Sequence, residues 1–359
     1  MVKKEISIFL LYRKIVNNYI KNNNFAIFRK PNEDKIFFYS DNRKISNNYF
    51  IIKDFLQKRT IKIYTNNIFY VKINSKKNLN NGIYSFFSTK DFTKKNFSLF
   101  YKKLIEKSIS YIKGNFFKKV VVSKNLIISL GKIDLIKTFK NLIFSHINNL
   151  VSLWYNNNNN EFWIGSTPEL LMKYKNKKLK TMALAGTIWK NDNKLINKWT
   201  YKEINEHEIV IQHINDSLKK YNVNFLIYKT KTISIDDLFH LKTNILIEFK
   251  EKIKYNEILK NLYPTPSICG LPIKKSMDFI VKNENYERSF YTGYIGIVND
   301  DYNVELYLNL RCSKILYKKK KIVLYAGSGI IESSNIYREY IETDKKIKNI
   351  LSNFIIKNI

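Results

Sequence analysis

The chain has 359 residues, of which 45% are hydrophobic and 63 are Lys or Arg against 30 Asp or Glu, for a formal net charge of +33. That length and apolar share suffice to bury a large core and exclude an intrinsically disordered protein, and two cysteines, Cys269 and Cys312, exclude a disulfide framework and match no metal spacing, so they are expected as reduced core thiols of a cytoplasmic protein. The charge alone would point to nucleic acid, but nearly all of it is lysine, which rises together with Asn, Ile, Tyr and Phe, residues with A- and T-rich codons, while Gly (10) and Pro (5) fall; a biased genome then accounts for it, leaving only a field favourable to a small anionic substrate.

The apolar run Ile6 to Tyr12 continues as Ile8, Leu11, Ile15 and Tyr19 at helical spacing, which predicts an amphipathic helix rather than a signal peptide. No stretch approaches the roughly 18 apolar residues of a membrane span, so no membrane partner is expected. Residues 1 to 100 are rich in Asn and Lys and carry short segments, "FAIFRK" and "KIFFYS", that read as strands of a sheet with one wet face. From about residue 110 the segments "KKVVVSK", "SLWYNNNNNEFWIGS", "KTMALAGT" and "VELYLNLRCSKILYKKKKIVLYAG" read as strands and hairpins, with Asn156 to Asn160 as a hairpin loop. Two helices are predicted among them. In the first, Val210, Ile214 and Leu218 recur every fourth residue; in the second, Ile336, Tyr340, Ile347 and Leu351 form a stripe. No internal repeat and no proline- or serine-rich linker divides the chain, so residues 1 to 359 are expected to form one domain.

Seven of the ten glycines fall between residues 165 and 329, and two of them, Gly327 and Gly329, stand two apart in a predicted loop just before the second helix. Glycines so sparsely used are expected where a side chain cannot fit, at a turn or against a ligand. Each helix also carries a Glu-x-x-Glu pair on one face, Glu203 with Glu206 and Glu339 with Glu342. Separately, either pair reads as a solvated face met by lysines; together, four carboxylates would require a cation between them, and hard oxygen ligands suit Mg²⁺. Lys119 heads a strongly apolar strand, where desolvation would lower its pKa far enough to accept a proton from water. Glu169, at a turn after Pro168 and near Trp163 and Leu170, could stay protonated and donate. His207 reads either as a metal ligand or as a hydrogen-bonded core residue.

The blocks "GSTPELL" (165 to 171), "ALAGT" (183 to 187), "EHEIV" (206 to 210), "YPTPSICGLP" (263 to 272), "ERSFYTGYIGIV" (287 to 298), "LYLNLRCSKI" (306 to 315), "LYAGSGIIESS" (324 to 334) and "EYIETDKK" (339 to 346) resemble, in order, the signature blocks of the chorismate-binding enzymes. The resemblance covers residues 110 to 355, with 1 to 100 as a divergent part of the sheets. It implies an α/β sandwich of two large antiparallel sheets flanked by helices, with the site in the cleft between them. Lysine at position 119 resembles the isochorismate and salicylate branch, where the anthranilate branch carries glutamine. Ala185 stands where the aminodeoxychorismate branch carries its nucleophilic lysine. The implied reaction is the Mg²⁺-dependent conversion of chorismate to isochorismate in menaquinone or siderophore biosynthesis, with Lys119 as general base and Glu169 as general acid. Glu206 and Glu342 would bind the metal directly, with Glu203 and Glu339 behind its waters. Gly186, Thr187, Arg311, Gly327, Ser328, Gly329 and Lys346 would bind the substrate, and no glutamine amidotransferase subunit is expected. Tyr263 departs from the family's usual histidine. A salicylate synthase would share every one of these residues, and a nucleic-acid-binding protein on an inactive fold is the remaining alternative.

Overall fold

The computed structural model describes residues 2–41, 45–73, 98–129, 132–190 and 199–357. Among these residues are seven α-helices, α1 (Ile8–Ile20), α2 (Leu99–Lys113), α3 (Leu135–Ser145), α4 (Tyr201–Leu218), α5 (Tyr255–Leu262), α6 (Ile273–Asn283) and α7 (Ile336–Leu351). Their starts are chemically marked. Ser7, Ser98, Asp134 and Asn335 each accept a bond from a backbone N–H of the first turn, and α4 opens on a capping box of Thr200 and Glu203.

Two sheets fill the space between the helices. The ten-stranded one runs Val2–Glu5, Asn67–Lys72, Lys35–Ser40, Phe25–Arg29, Leu150–Asn156, Glu161–Thr167, Cys312–Leu316, Lys321–Ile330, Lys119–Ser129 and Gly270–Leu271, antiparallel except for its first pair. The nine-stranded one has Leu238–Phe249 and Lys178–Trp189 paired over their length, then Leu170–Lys175, Asn303–Leu308, Tyr294–Asp300, Tyr49–Lys53 and Thr60–Tyr64 to one side. The layers follow from three apolar clusters. Phe25, Ile27, Phe38 and Leu153 pack outward on Leu11, Ile15, Phe139, Leu142, Ile347 and Leu351 of α1, α3 and α7. Ala26, Phe28, Tyr39 and Trp154 face inward onto Phe50, Ile52 and Ile297 of the second sheet. The far face of that sheet holds α4 through Val210 and Ile214, with α5 packed on α4 through Ile258 and Leu262, while α6 lies against Lys119–Ser129 and Gly270–Leu271 of the first sheet.

The N-terminal strands therefore differ from the one-sided sheet expected of them. Every residue of Phe25–Arg29 is buried, because alternate side chains enter two different cores and neither face is wet. Residues 1, 42–44 and 74–97 of the first hundred lie outside the described residues. The Asn-rich hairpin forms as read, with Leu150–Asn156 paired to Glu161–Thr167 around a turn. Both cysteines are buried and free. Tyr263, in place of the family's usual histidine, is buried and places its hydroxyl 3.0 Å from the carbonyls of Phe55 and Thr292.

Candidate active site

A cavity between the sheets is walled by Val121, Ala326, Gly327 and Gly329 of the first sheet, Leu184 to Thr187 of the second, the turn at Pro168 and Glu169, Ser267 and Ile268, and Glu206, Glu342 and Lys346 from the facing helices. Four aromatic rings stack toward it, Trp154 on Trp163 (5.6 Å), Trp163 on Tyr325 (5.7 Å) and Tyr325 on Tyr291 (5.1 Å), and the last two reach its wall. Trp163 is thus committed to this stack, and the cavity wall that holds Glu169 also contains the apolar residues Pro168, Ile268 and Leu310.

Gly327 and Gly329 lie inside the strand Lys321–Ile330, not in a loop. Their register partners are Ser123 and Val121, whose own N–H groups point the other way, to Glu284 and to the Cys269 carbonyl. These are therefore the non-bonded pairs of the antiparallel ladder. The backbone N–H and C=O groups of both glycines turn away from the neighbouring strand, and Lys346 Nζ donates to Gly327 O at 2.8 Å. A Cβ at Gly329 would stand 2.0 Å from Glu206 Oε1, so its bareness makes room for a carboxylate. Ser328, between them, faces the opposite way: its hydroxyl meets Tyr101 Oη at 3.1 Å, outside the cavity.

Gly186 sits at an irregularity between Ala185 and Thr187 with φ +77°, and its carbonyl accepts from His240 Nδ1 at 3.2 Å. A Cβ there would be left-handed and 2.9 Å from the Glu203 carbonyl. Gly186→Ala is expected to cost roughly 1–3 kcal/mol, the usual range for such strain, read as a lowered thermal midpoint; an unchanged midpoint would show that the strand does not need this conformation. His240 is buried, and its Nε2 has no partner. Burial, reinforced by Arg311 and Lys346, holds its pKa down to about 3, so the ring is neutral. Thr187 Oγ1 lies 3.2 Å from the same ring. Arg311 enters the wall beside it, and its guanidinium is 3.4 Å from Asp236 Oδ2, whose other oxygen is 3.0 Å from His146 Nε2.

Lys119 is wholly buried, with Nζ 3.1 Å from Glu206 Oε1. Burial lowers its pKa, and the Glu206 charge opposes the shift without cancelling it. Its neighbours Glu206 and Gly329 line the cavity, while Lys119 itself stands just outside the wall. Glu169 is buried and accepts a bond from Ser267 Oγ at 2.7 Å. Burial raises it to about 7 against the opposing pull of Ser267, Lys119 and Lys346. Glu169 in the wall and Lys119 just behind it are thus each shifted toward the neutral form, from opposite ends of the pH scale.

Of the two predicted acidic pairs, the first separates. Glu203 turns back to its own helix start, accepting from Thr200 N at 3.1 Å and from the Thr200 hydroxyl. The signature Thr-x-x-Glu was present in the sequence and reads as a capping box. The remaining three, Glu206, Glu339 and Glu342, come together from α4 and α7, where lysines meet them: Lys202 lies 3.0 Å from Glu206 and 3.1 Å from Glu339, and Lys346 lies 2.5 Å from Glu342. Burial would raise Glu206, but Lys119 and Lys202 outweigh it and hold its pKa at about 2. Glu339 is raised to about 7, by burial first and then by Glu342 and Glu206 against Lys202. Among the described residues no three acidic, histidine or cysteine side chains form a ready cage for an ion. The donor set nonetheless suits a hard cation, because all of it is carboxylate oxygen and Glu339 Oε2 is buried without a partner. His207 is a core residue, 2.8 Å from Thr243 Oγ1 and held neutral by burial, with a pKa of about 4.

Ser267, His240, Asp236 and Lys202 were not singled out from sequence. Only Lys202 left a signal, four residues before Glu206 on one helical face, and it was lost among so many lysines.

Fold and cavity define a two-sheet α/β protein with a buried, cation-rimmed site between the sheets. The model of the chorismate-binding enzymes matches residues 40–355, and the chain belongs to that family. The match reaches well into the N-terminal hundred residues, further than the signature blocks do. The chain is 28% identical over 266 residues to the isochorismate synthase MenF of Bacillus subtilis, covering 70% of this chain and 54% of that one. It is 25% identical over 260 residues to anthranilate synthase component 1 of Saccharolobus solfataricus, covering 69% and 60%. It thus spans a little over half the length of these curated relatives. Among solved structures, MenF, the menaquinone-specific isochorismate synthase from Escherichia coli, superposes with a TM-score of 0.76 at 17% identity, over 92% of this chain and 88% of that one, which bears out the two-sheet fold. No helix among the described residues is long and apolar enough to cross a membrane.

Proposed function

We propose that the protein is an isochorismate synthase, which adds water at C2 of chorismate and releases the C4 hydroxyl as water. The observation that carries this reading is the pairing of a buried lysine lowered in pKa with a buried carboxyl raised to about 7 around one cavity. Such a pair places a base and an acid at one site. Lys119 accepts the proton of the attacking water. Glu169, oriented by Ser267, donates its proton to the departing hydroxyl, which would otherwise be a poor leaving group. The N–H groups of Gly327 and Gly329, with Arg311 and Lys346, bind carboxylate. Ala185 in the wall offers no amine for a covalent step.

Mg²⁺ would be held by Glu206 and Glu342, with Glu339 behind its waters. When bound, it would supply positive charge to the carboxylate on the substrate ring. Whatever draws the charge of Glu206 away from Lys119 also removes the main force keeping that lysine protonated.

The test is product identification by chromatography after incubation with chorismate and Mg²⁺, without ammonium. Isochorismate is expected. Salicylate with pyruvate as the main product would make the chain a salicylate synthase, and anthranilate or aminodeoxychorismate formed only with ammonium would overturn the reading.

A further inference from the structure

Lys202 lies in the first turn of α4, where the helix dipole disfavours a cation, and its side chain is only 12% exposed. Both features count against a lysine placed for solubility or for helix stability. Its ammonium instead bridges α4 and α7, at 3.0 Å from Glu206 Oε2 and 3.1 Å from Glu339 Oε1. The other partners are already assigned: Lys119 meets the second oxygen of Glu206 at 3.1 Å, and Lys346 meets Glu342 at 2.5 Å. Three carboxyl groups therefore face three ammonium groups, and only Lys202 spans the two helices. Taking Lys202 away would leave buried acidic groups from two helices facing one another in a medium that screens them poorly. A divalent cation between the helices would face the reverse problem, an ammonium in its place.

We propose that Lys202 is a positioning residue that serves as the resident cation of this cluster. It holds Glu206 and Glu339 together while no metal is bound, and it competes with a divalent ion for the same oxygens. The inference rests on the metal reading above and extends it to a residue with no part in proton transfer. Metal affinity is then set by the cost of moving the ammonium aside, as an apparent affinity is reduced by the fraction of molecules in a competent state.

The test is titration of the purified full chain with Mn²⁺, followed by electron paramagnetic resonance, and with Mg²⁺ by calorimetry, both without chorismate. Wild type, Lys202→Met and Lys202→Arg are compared, together with thermal midpoints in EDTA and in excess Mg²⁺. Lys202→Met, which keeps the length and removes the charge, is expected to bind either ion roughly 10-fold more tightly or better. It should melt several degrees lower in EDTA and gain more from added metal than the wild type does. Lys202→Arg should resemble the wild type in EDTA. If Lys202→Met does not fold, Lys202→Gln carries the same expectations. Unchanged or weaker binding in the neutral variants, or no metal binding by any form, overturns the proposal. Chorismate turnover by the wild type separates the two readings: isochorismate formation without the affinity change sinks only the role of Lys202, whereas the affinity change without turnover sinks only the reaction.

Discussion

Lys119→Gln is expected to lower kcat by roughly 10²- to 10⁴-fold, the usual worth of a positioned general base. Glutamine is chosen because Lys119 is wholly enclosed and paired with Glu206 at 3.1 Å. Alanine would open a void and strip a buried carboxylate of one partner, costs that fall on the fold as well as on the chemistry. The amide keeps most of the volume and can still donate to Glu206, but it cannot take a proton from water. Steady-state rates at saturating chorismate, with a thermal melt to certify the fold, are the measurement. A folded variant with wild-type kcat would remove Lys119 from the mechanism.

Glu169→Gln should produce a loss of similar size, and here pH gives a second reading. The carboxyl group must carry its proton to act as the acid, and burial places its pKa at about 7. The fraction of enzyme whose Glu169 can donate should therefore fall as pH rises through about 7, since the acid is being lost. The base works in the other direction, since Lys119 is effective only when neutral and rising pH favours that form. The two demands give a bell-shaped profile. In Glu169→Gln the surviving activity should lose the fall near pH 7, because no proton remains there to titrate. If the variant keeps the same basic limb, another group titrates in that range and Glu169 is not the donor. Ser267→Ala offers a milder comparison. Its hydroxyl bond favours the charged form of Glu169, so removing it should move the limb to higher pH.

Much of this architecture could be read from residue order. Strands from 119 onward, the Asn hairpin, and helices α4 and α7 follow from periods of two and of three to four. Others escaped for physical reasons. The helices α5 and α6 span only 8 and 11 residues, too short for a stripe to stand out from a chain so evenly scattered with Ile and Phe. In α3 the pattern Leu135, Phe139, Leu142 after the cap Asp134 is legible in the residue order. The two-sided burial of Phe25–Arg29 depends on a second sheet that no local pattern announces. At the site, residue types with intrinsic chemistry were found, whereas groups that act through a partner were not. Ser267 matters because Glu169 folds back on it, and Lys202 because α7 brings Glu339 to it. Glu203 shows the converse: a carboxylate chosen for its spacing proved to be spent on its own helix start.

The ladder geometry at Gly327 and Gly329 bears on how such a site survives in a genome whose composition drifts. Donors that belong to the main chain are specified by no codon beyond the demand for a bare Cα, and Glu206 enforces that demand at Gly329, where a side chain would collide with it. Surface positions can turn to lysine and asparagine without touching those amides. The part of the cleft proposed to bind carboxylate is in this sense insulated from nucleotide bias, and alanine scanning would pass over it, since no side chain is there to remove. A probe that edits the backbone itself, such as an ester in place of the amide at residue 329, is what would expose its contribution.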